Sequence, residues 1–189
     1  MGTMKSKTSD LLIQIISVTI GVFLGFAISN WSESRKESQK YNALIQNIAS
    51  EIQSNQQKIN NVLEYHKMVR DSTRYYLNQK ENLQGKSTFF KGINTLSFSN
   101  SAYQTGIQTG LFNTMELEKI QAINDIYTKQ RSYEDFSNIM LSGLISMDFD
   151  ESDASARKIA MFLTISMSDI VIKEQQLLNS IQKALSLIK

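Results

Sequence analysis

The stretch that decides the fold is LLIQIISVTIGVFLGFAIS, residues 11–29. Twelve of its nineteen residues are Leu, Ile, Val or Phe, and no charged residue lies between Asp10 and Glu33. At a rise of about 1.5 Å per residue, such a helix is about 28 Å long, close to the hydrocarbon thickness of a bilayer. Trp31 follows directly, where an interfacial aromatic residue belongs. We therefore predict a short polar tail over residues 1–10 and a transmembrane helix over residues 11–29.

A cleaved signal peptide is the main alternative for this stretch. Lys5 and Lys7 resemble its basic region, and Ala27-Ile28-Ser29 resembles a cleavage site. The apolar stretch is longer than the usual core of about 7–15 residues, which favours the membrane helix. A buried helix of a soluble protein is the weaker alternative, because such helices rarely stay uncharged for so long. Basic residues on the two sides are nearly balanced, and we expect the tail in the cytoplasm and the C-terminal part outside, in the periplasm of a bacterium.

Small residues recur every four positions along one face of the predicted membrane helix: Ser17, Gly21, Gly25 and Ser29. Small side chains at this spacing let two helices approach closely in lipid. We expect this face to pack against a second copy of the chain or against a partner's membrane helix. The alternative is that these residues simply face lipid.

A second pattern follows the membrane helix. Residues 30–83 contain neither Gly nor Pro and are predicted to form one long stalk and bundle helix. Eight of the eleven positions in a 4-3 alternation from Tyr41 to Tyr76 are apolar or aromatic, the spacing of a coiled-coil seam or a long bundle helix. The seam includes Asn55, a polar residue that can fix register. Its central members are Ile45, Ile48, Ile52, Asn55, Ile59, Val62, His66 and Val69.

Residues 84–112 are predicted to be a loop. Gly85 is the expected residue after the end of the long helix, near Leu83. A short hairpin around Lys91-Gly92 is an alternative to a plain loop. A short helix over residues 102–109 would then be capped by Ser99 or Ser101 and closed by a glycine, Gly110.

Residues 113–189 are predicted to form two long helices. The first would be capped by Asn113 or Thr114, with Glu116 completing a capping box, and would run to about Ser146. The second would span residues 153–188. The chain is therefore expected to be all-α, with an N-terminal transmembrane helix continuing into a long helix of a three- to four-helix bundle outside the membrane.

The sequence contains no convincing catalytic, metal or cofactor motif. There are no cysteines, and His66 is the single histidine, for which we expect a structural role on the seam. The acidic run from Asp148 to Asp153 lacks the Gly and Glu of a calcium-binding EF-hand loop and is better explained as a turn and helix cap. Gly106 and Gly110 are not followed by the Lys-Ser/Thr of a phosphate-binding loop. The near-neutral charge of +2, spread along the chain, argues against nucleic-acid binding.

An aromatic cluster lies in the loop region. Such residues more often form a small core under a loop than a ligand pocket, and both interpretations stay open. The cluster comprises Phe89, Phe90, Phe98, Tyr103 and Phe112.

Two stretches resemble an uncharacterised family of bacterial single-pass membrane proteins, found mainly in Bacteroidota. The first runs from Ile20-Gly21 to Asn30-Trp31-Ser32-Glu33, where the family has an apolar, Ile-Gly-rich span that ends in Asn-Trp-Asn-Glu. The second runs from Asn100 through Ala102-Tyr103 to Gly110, where the family has Ala-Tyr-x-x-Leu-x-x-Ser-Gly. Ser32, Gly106 and Thr109 depart from the family pattern. The resemblance implies a single-pass protein of the bacterial inner membrane and no particular activity.

The leading hypothesis is a non-enzymatic, membrane-anchored helical scaffold or accessory subunit of a bacterial envelope complex. It would contact the lipid bilayer and associate with itself or with a membrane-protein partner through its membrane helix and its heptad seam, without a cofactor or a small-molecule ligand. The alternative is a ligand-sensing bundle outside the cytoplasm that signals through a partner.

Overall fold

The computed structural model describes residues 4–79, 89–150 and 152–188, and the side chains from residue 10 onward within those ranges. The described residues form four α-helices, which are α1 (Met4–Asn78), α2 (Ser101–Thr109), α3 (Leu117–Ile145) and α4 (Asp153–Ile188). A 3₁₀ turn, Leu111–Thr114, separates α2 from α3. None of these residues lies in a β-strand. The prediction of an all-α protein is confirmed.

The chain divides into two compact units, Met1–Leu44 and Ile45–Lys189. In the first unit, every described side chain from residue 10 to residue 40 is exposed. The apolar side chains of residues 11–28 are 53–72% exposed, so this part of α1 has no partner within its own unit. Among the described residues, α1 is the one helix that is long and apolar enough to cross a membrane.

The second unit is a helical bundle formed by residues 45–78 of α1 together with α3 and α4. α3 and α4 lie antiparallel, and Lys129 Nζ of α3 donates to Ser180 Oγ of α4 at 2.8 Å. α1 runs parallel to α3 and antiparallel to α4, because residue 51 meets residue 127, residue 66 meets residue 174, and residue 73 meets residue 164. Completely buried aliphatic side chains from all three helices make the core, among them Ile48, Ile52, Ile59, Ile123, Ile126, Ile170, Leu177 and Ile181.

The C-terminal end of α1 differs from the prediction. The helix ends at Asn78, five residues before the predicted end at Leu83, although neither Gly nor Pro interrupts it there. A tertiary contact marks this end, since Arg157 of α4 donates from Nη2 to the carbonyl oxygen of Gln79 at 3.1 Å. Gly85, predicted to follow the helix, lies outside the described residues.

The segment between α1 and α2 also differs from the hairpin alternative. Residues 91–100, which we call the extended segment, have no regular secondary structure. Gly92 (φ +97°) and Asn94 (φ +52°) adopt left-handed backbone conformations and bend the chain there. The segment still buries two apolar side chains, those of Ile93 and Phe98.

The predicted caps of two helices are wrong. Asn113 and Thr114 lie in the 3₁₀ turn, and α3 begins at Leu117 after Glu116, whose side chain forms no cap hydrogen bond. The residue before α2 is Asn100, again without a side-chain cap. Gly110 does close α2 in a left-handed conformation (φ +70°), and α4 begins at Asp153 after a capping serine, Ser152, whose Oγ accepts from the Ser155 amide at 3.2 Å.

Candidate functional site

The small-residue face lies on the exposed, apolar part of α1. A Cβ atom added to Gly21 or Gly25 would meet no atom within 4 Å beyond the helix's own backbone. Ser17 and Ser29 are exposed as well. Trp31 is 65% exposed, and the Arg35 guanidinium carbon lies 5.7 Å from the centre of its ring. The face is thus open along its whole length within its unit.

The predicted heptad seam points into the core of the second unit. Ile45 and Val62 are half-buried, and the other six central members are buried. Both polar members, Asn55 and His66, are completely buried. The seam is therefore packed within the chain's own bundle, in agreement with the predicted bundle helix, and association through the seam stays a prediction.

Asn55 fixes the extended segment to α1. Its Nδ2 donates to the Ser99 carbonyl oxygen at 2.7 Å, and its Oδ1 accepts from the Ser99 amide at 3.0 Å. The side-chain amide thereby pairs both backbone groups of one residue, as a neighbouring strand would. Two further contacts hold the segment nearby, since Lys58 Nζ donates to the Ser97 carbonyl oxygen at 2.9 Å and Tyr65 donates its hydroxyl to the Gly92 carbonyl oxygen at 2.6 Å.

His66 joins three elements in the core. Its Nε2 lies 2.9 Å from the Ile93 carbonyl oxygen, and its Nδ1 lies 2.7 Å from Glu174 Oε1. A carbonyl oxygen only accepts, so Nε2 carries a hydrogen, and the short Nδ1–Oε1 contact then needs one further shared proton. Tyr133 adds a third contact, donating its hydroxyl to Glu174 Oε1 at 3.2 Å.

The buried surroundings of the Tyr133 hydroxyl change its pKa. Burial, followed by the nearby Glu174 carboxylate, raises its pKa well above the ordinary tyrosine value. The second carboxylate oxygen, Glu174 Oε2, has no hydrogen-bond partner among the described residues, and neither do the amide atoms of buried Gln130. Core positions on α3 and α4 thus carry several polar groups, only some of which are paired.

Glu51 supplies the cap that α2 lacks locally. Its Oε2 accepts from the Ser101 hydroxyl at 3.0 Å and from the Ala102 amide at 2.9 Å, at the N-terminus of α2. A carboxylate is favourable there because the first amides of a helix are unpaired and carry partial positive charge. Glu51 Oε1 also accepts from the Tyr127 hydroxyl at 2.6 Å. Burial and then this hydrogen bond raise the pKa of Tyr127 far above its ordinary value.

The structure divides the predicted aromatic cluster between three places. Phe89 and Phe90 line a cavity near the end of α1. Phe98 packs edge-on against Tyr133, with ring centres 5.4 Å apart. Tyr103 lies between Phe112 and a stacked Tyr127, whose ring centre is 4.1 Å away. The first two phenylalanines therefore line this cavity, and the other three residues pack in the bundle.

Sequence reasoning missed Glu51 and Glu174. Glu174 interrupts the apolar stripe of α4, since Ile170 precedes it by four residues and Leu177 follows it by three. A charged residue at a core position of this kind signals a buried partner on another helix. Glu51 stands beside seam residue Ile52 and carries no comparable sequence signal.

The assembled polar groups bind one another rather than presenting a reactive centre. Both ring nitrogens of His66 are engaged, and the described residues contain no group of three His, Cys, Asp or Glu side chains able to hold a metal ion. Comparison with protein-family models, with curated proteins and with solved structures finds no match for the chain. Its own geometry must therefore carry the functional argument.

Proposed function

We propose that the protein is a single-pass membrane-anchored helical scaffold or accessory subunit of a bacterial envelope complex, without enzymatic activity. The observation that carries this proposal is the exposed apolar part of α1. Twelve Leu, Ile, Val and Phe side chains over residues 11–28 are each more than half exposed. Exposing this much apolar surface to water is unfavourable in free energy. The same helix is stable in a bilayer, where its apolar side chains contact lipid.

The membrane helix is also the part that we propose binds a partner. One face of the helix carries only small side chains, those of Ser17, Gly21, Gly25 and Ser29. Small side chains allow the backbone of a second helix to approach closely in lipid. The heptad seam takes no part in this proposal, because its residues are packed inside the bundle. The partner would be a second copy of the chain or another membrane protein.

Association through this face can be tested by crosslinking in membranes. We expect replacement of Gly21 and Gly25 by Ile to abolish a crosslinked species that the natural chain forms. Thr19 and Ala27 lie on the opposite side of the same helix. Replacing both by Ile therefore enlarges side chains away from the small-residue face, and the crosslinked species should still form. Absence of any crosslinked species, or equal loss in both double variants, would contradict the proposal.

The location we propose is the bacterial inner membrane, with the bundle in the periplasm. Long domains are translocated largely regardless of their charge, so the near-balance of basic residues around the span does not oppose this orientation. The cysteine-free chain suits labelling of single introduced cysteines. The outer membrane of the cells is permeabilised and the inner membrane is left intact, so that an impermeant maleimide reagent reaches only the periplasm. This reagent should label a cysteine at an exposed position of the bundle, Ser142→Cys, and should not label Thr8→Cys in the tail. The reverse pattern would place the bundle in the cytoplasm.

A further inference from the structure

A cavity of about 300 Å³ lies in the second unit, beside the turn between α3 and α4. Its walls come from four parts of the chain: the last turns of α1, residues 89 and 90, the end of α3 with the turn that follows, and the first turns of α4. This volume is at the lower end of the range found for small-molecule sites. A molecule bound there would touch all three long helices of the bundle at once.

Small side chains on α4 keep the cavity open. Ala156 and Ala160, one helical turn apart, both line it. On the α1 side the wall is aromatic, because the Tyr76 and Phe89 rings stack with their centres 5.4 Å apart and their planes inclined by 17°. Phe149, which is 64% exposed, forms part of the opening.

The described lining residues present few polar groups to a ligand inside the cavity. Thr73 lines the cavity, but its hydroxyl donates to the Val69 carbonyl oxygen at 2.9 Å and accepts from the Thr164 hydroxyl at 2.8 Å. Most of the remaining lining side chains are aliphatic or aromatic. A polar group would lose its hydration on entering and gain little in return, whereas an apolar group gains by leaving water.

Among the described residues that line the cavity, Asp150, in the exposed turn, is the one with a charged side chain. Its Oδ1 accepts from the Ser152 amide at 2.9 Å, and hydrogen bonds from Ser152 hold the pKa of the Asp150 carboxyl below its ordinary value. The carboxylate is therefore ionised at neutral pH. Lys158 is close enough to interact with it electrostatically and contributes to the lowered pKa.

We propose that this cavity is a binding site for a small apolar group, aromatic or alkyl, of about ten non-hydrogen atoms, carried by an uncharged or amine head group that stays near Asp150. The size follows from the volume, because an apolar cavity of about 150 Å³ accommodates benzene. The head-group preference follows from the carboxylate at the opening, which attracts a cation and repels an anion. The site is independent of the membrane association proposed above.

Two soluble probes that differ in their head group test the proposal. The full-length chain in phosphatidylcholine nanodiscs would be titrated with 4-phenylbutylamine and with 4-phenylbutanoate by calorimetry, with empty nanodiscs as the blank. We expect saturable one-site binding, with the amine bound about two- to fivefold more tightly, as expected for one exposed charge. Asp150→Asn should make the two affinities equal. Failure of the amine to bind saturably would overturn the site, and equal affinities for the natural chain would overturn the head-group assignment.

Variants on α4 locate the binding. Ala160→Leu should fill the cavity and weaken binding at least tenfold, while thermal unfolding shows a midpoint that is unchanged or higher, as for other cavity-filling substitutions. Ala154→Leu makes the same change at an exposed position of the same helix and should bind as the natural chain does. Phe149→Ala, at an exposed position where folding is not at risk, should weaken binding about two- to tenfold. Undiminished binding by both Ala160→Leu and Phe149→Ala would show that the probe binds elsewhere.

Discussion

Replacing Glu174 by Leu tests whether the buried contact with His66 holds the bundle together. The substitution removes the acceptor of two hydrogen bonds, one from the imidazole at 2.7 Å and one from the Tyr133 hydroxyl at 3.2 Å. The imidazole would then keep only its contact with the Ile93 carbonyl oxygen. All three side chains are buried, so water does not replace the lost partners.

The magnitude follows from two opposing contributions. Removing one partner of a buried charge pair typically costs about 3–5 kcal/mol. Part of this is offset because Oε2 of the carboxylate is already unpaired in the core, and a leucine side chain packs well there. We expect a net loss of about 3 kcal/mol in the free energy of unfolding. For a folded unit of about 150 residues, this corresponds to a decrease of about 6–12 °C in Tm.

The assay is thermal unfolding of the full-length chain in detergent, followed by circular dichroism at 222 nm. Glu64→Leu is the matched control, because Glu64 lies on α1 with its side chain 80% exposed, and the change should stay within about 0.5 kcal/mol. The double variant Glu174→Leu/His66→Leu should recover at least about 2 kcal/mol relative to the sum of the single changes, since apolar pairs can replace buried ion pairs. A Glu174→Leu variant as stable as the control, or additive effects in the double variant, would refute the reasoning.

Three further predictions concern the other buried contacts, and the same unfolding assay checks each of them. Asn55→Ala removes the hydrogen-bond partner of both the Ser99 amide and the Ser99 carbonyl oxygen, and it should lower the free energy of unfolding by about 2–3 kcal/mol. The control Asn60→Ala, at an exposed position of α1, should be nearly neutral. Equal effects of the two changes would contradict the anchoring role of Asn55. Gly106→Ala places a Cβ atom 2.6 Å from Cζ of the Phe112 ring and should cost about 1–3 kcal/mol, and Phe112→Leu should relieve much of that cost; a neutral Gly106→Ala would show that the ring moves freely. Burial raises the pKa of Tyr127, so above about pH 10 the unfolded chain loses the phenolic proton while the folded chain keeps it. Because of this group, the free energy of unfolding should fall by about 1 kcal/mol between pH 10 and pH 11. Tyr127→Phe should show a correspondingly flatter decline with pH, and an unchanged slope would contradict the assignment.

The sequence predicted which side of α1 is buried, because burial follows the helical repeat. Ile48, Ile52 and Ile59 lie in the core where the 4-3 spacing places them. The spacing did not predict what covers them. A heptad repeat is the same whether the facing helix belongs to another chain or to the same one. The seam was accordingly interpreted both as a face of a bundle helix and as a surface for association, and the structure packs it against elements of its own chain.

Helix ends were harder to predict than helix faces, for a physical reason. Capping rules describe local contacts, in which a side chain within a few residues binds the free amides or carbonyls. α2 is capped by Glu51, fifty residues earlier in the chain, and Arg157 binds a carbonyl just past the end of α1, seventy-eight residues before it. Neither partner can be inferred from the sequence near the helix end. Where the cap is local, as at Ser152, α4 begins at the predicted residue.

The polar seam residues explain how an extended segment without secondary structure holds a fixed place on the bundle. An extended backbone buried against an apolar helix face would leave its amides and carbonyls unpaired, at a cost of about 1–3 kcal/mol for each group. Asn55 and His66 place a donor or an acceptor at points where the segment crosses the seam, and Glu51 binds the Ala102 amide at the start of α2, just past the end of the segment. Replacing these residues by apolar ones would improve the heptad pattern while removing the partners that the segment needs. These departures from an ideal coiled-coil repeat thus supply hydrogen-bond partners to the extended segment of the same chain.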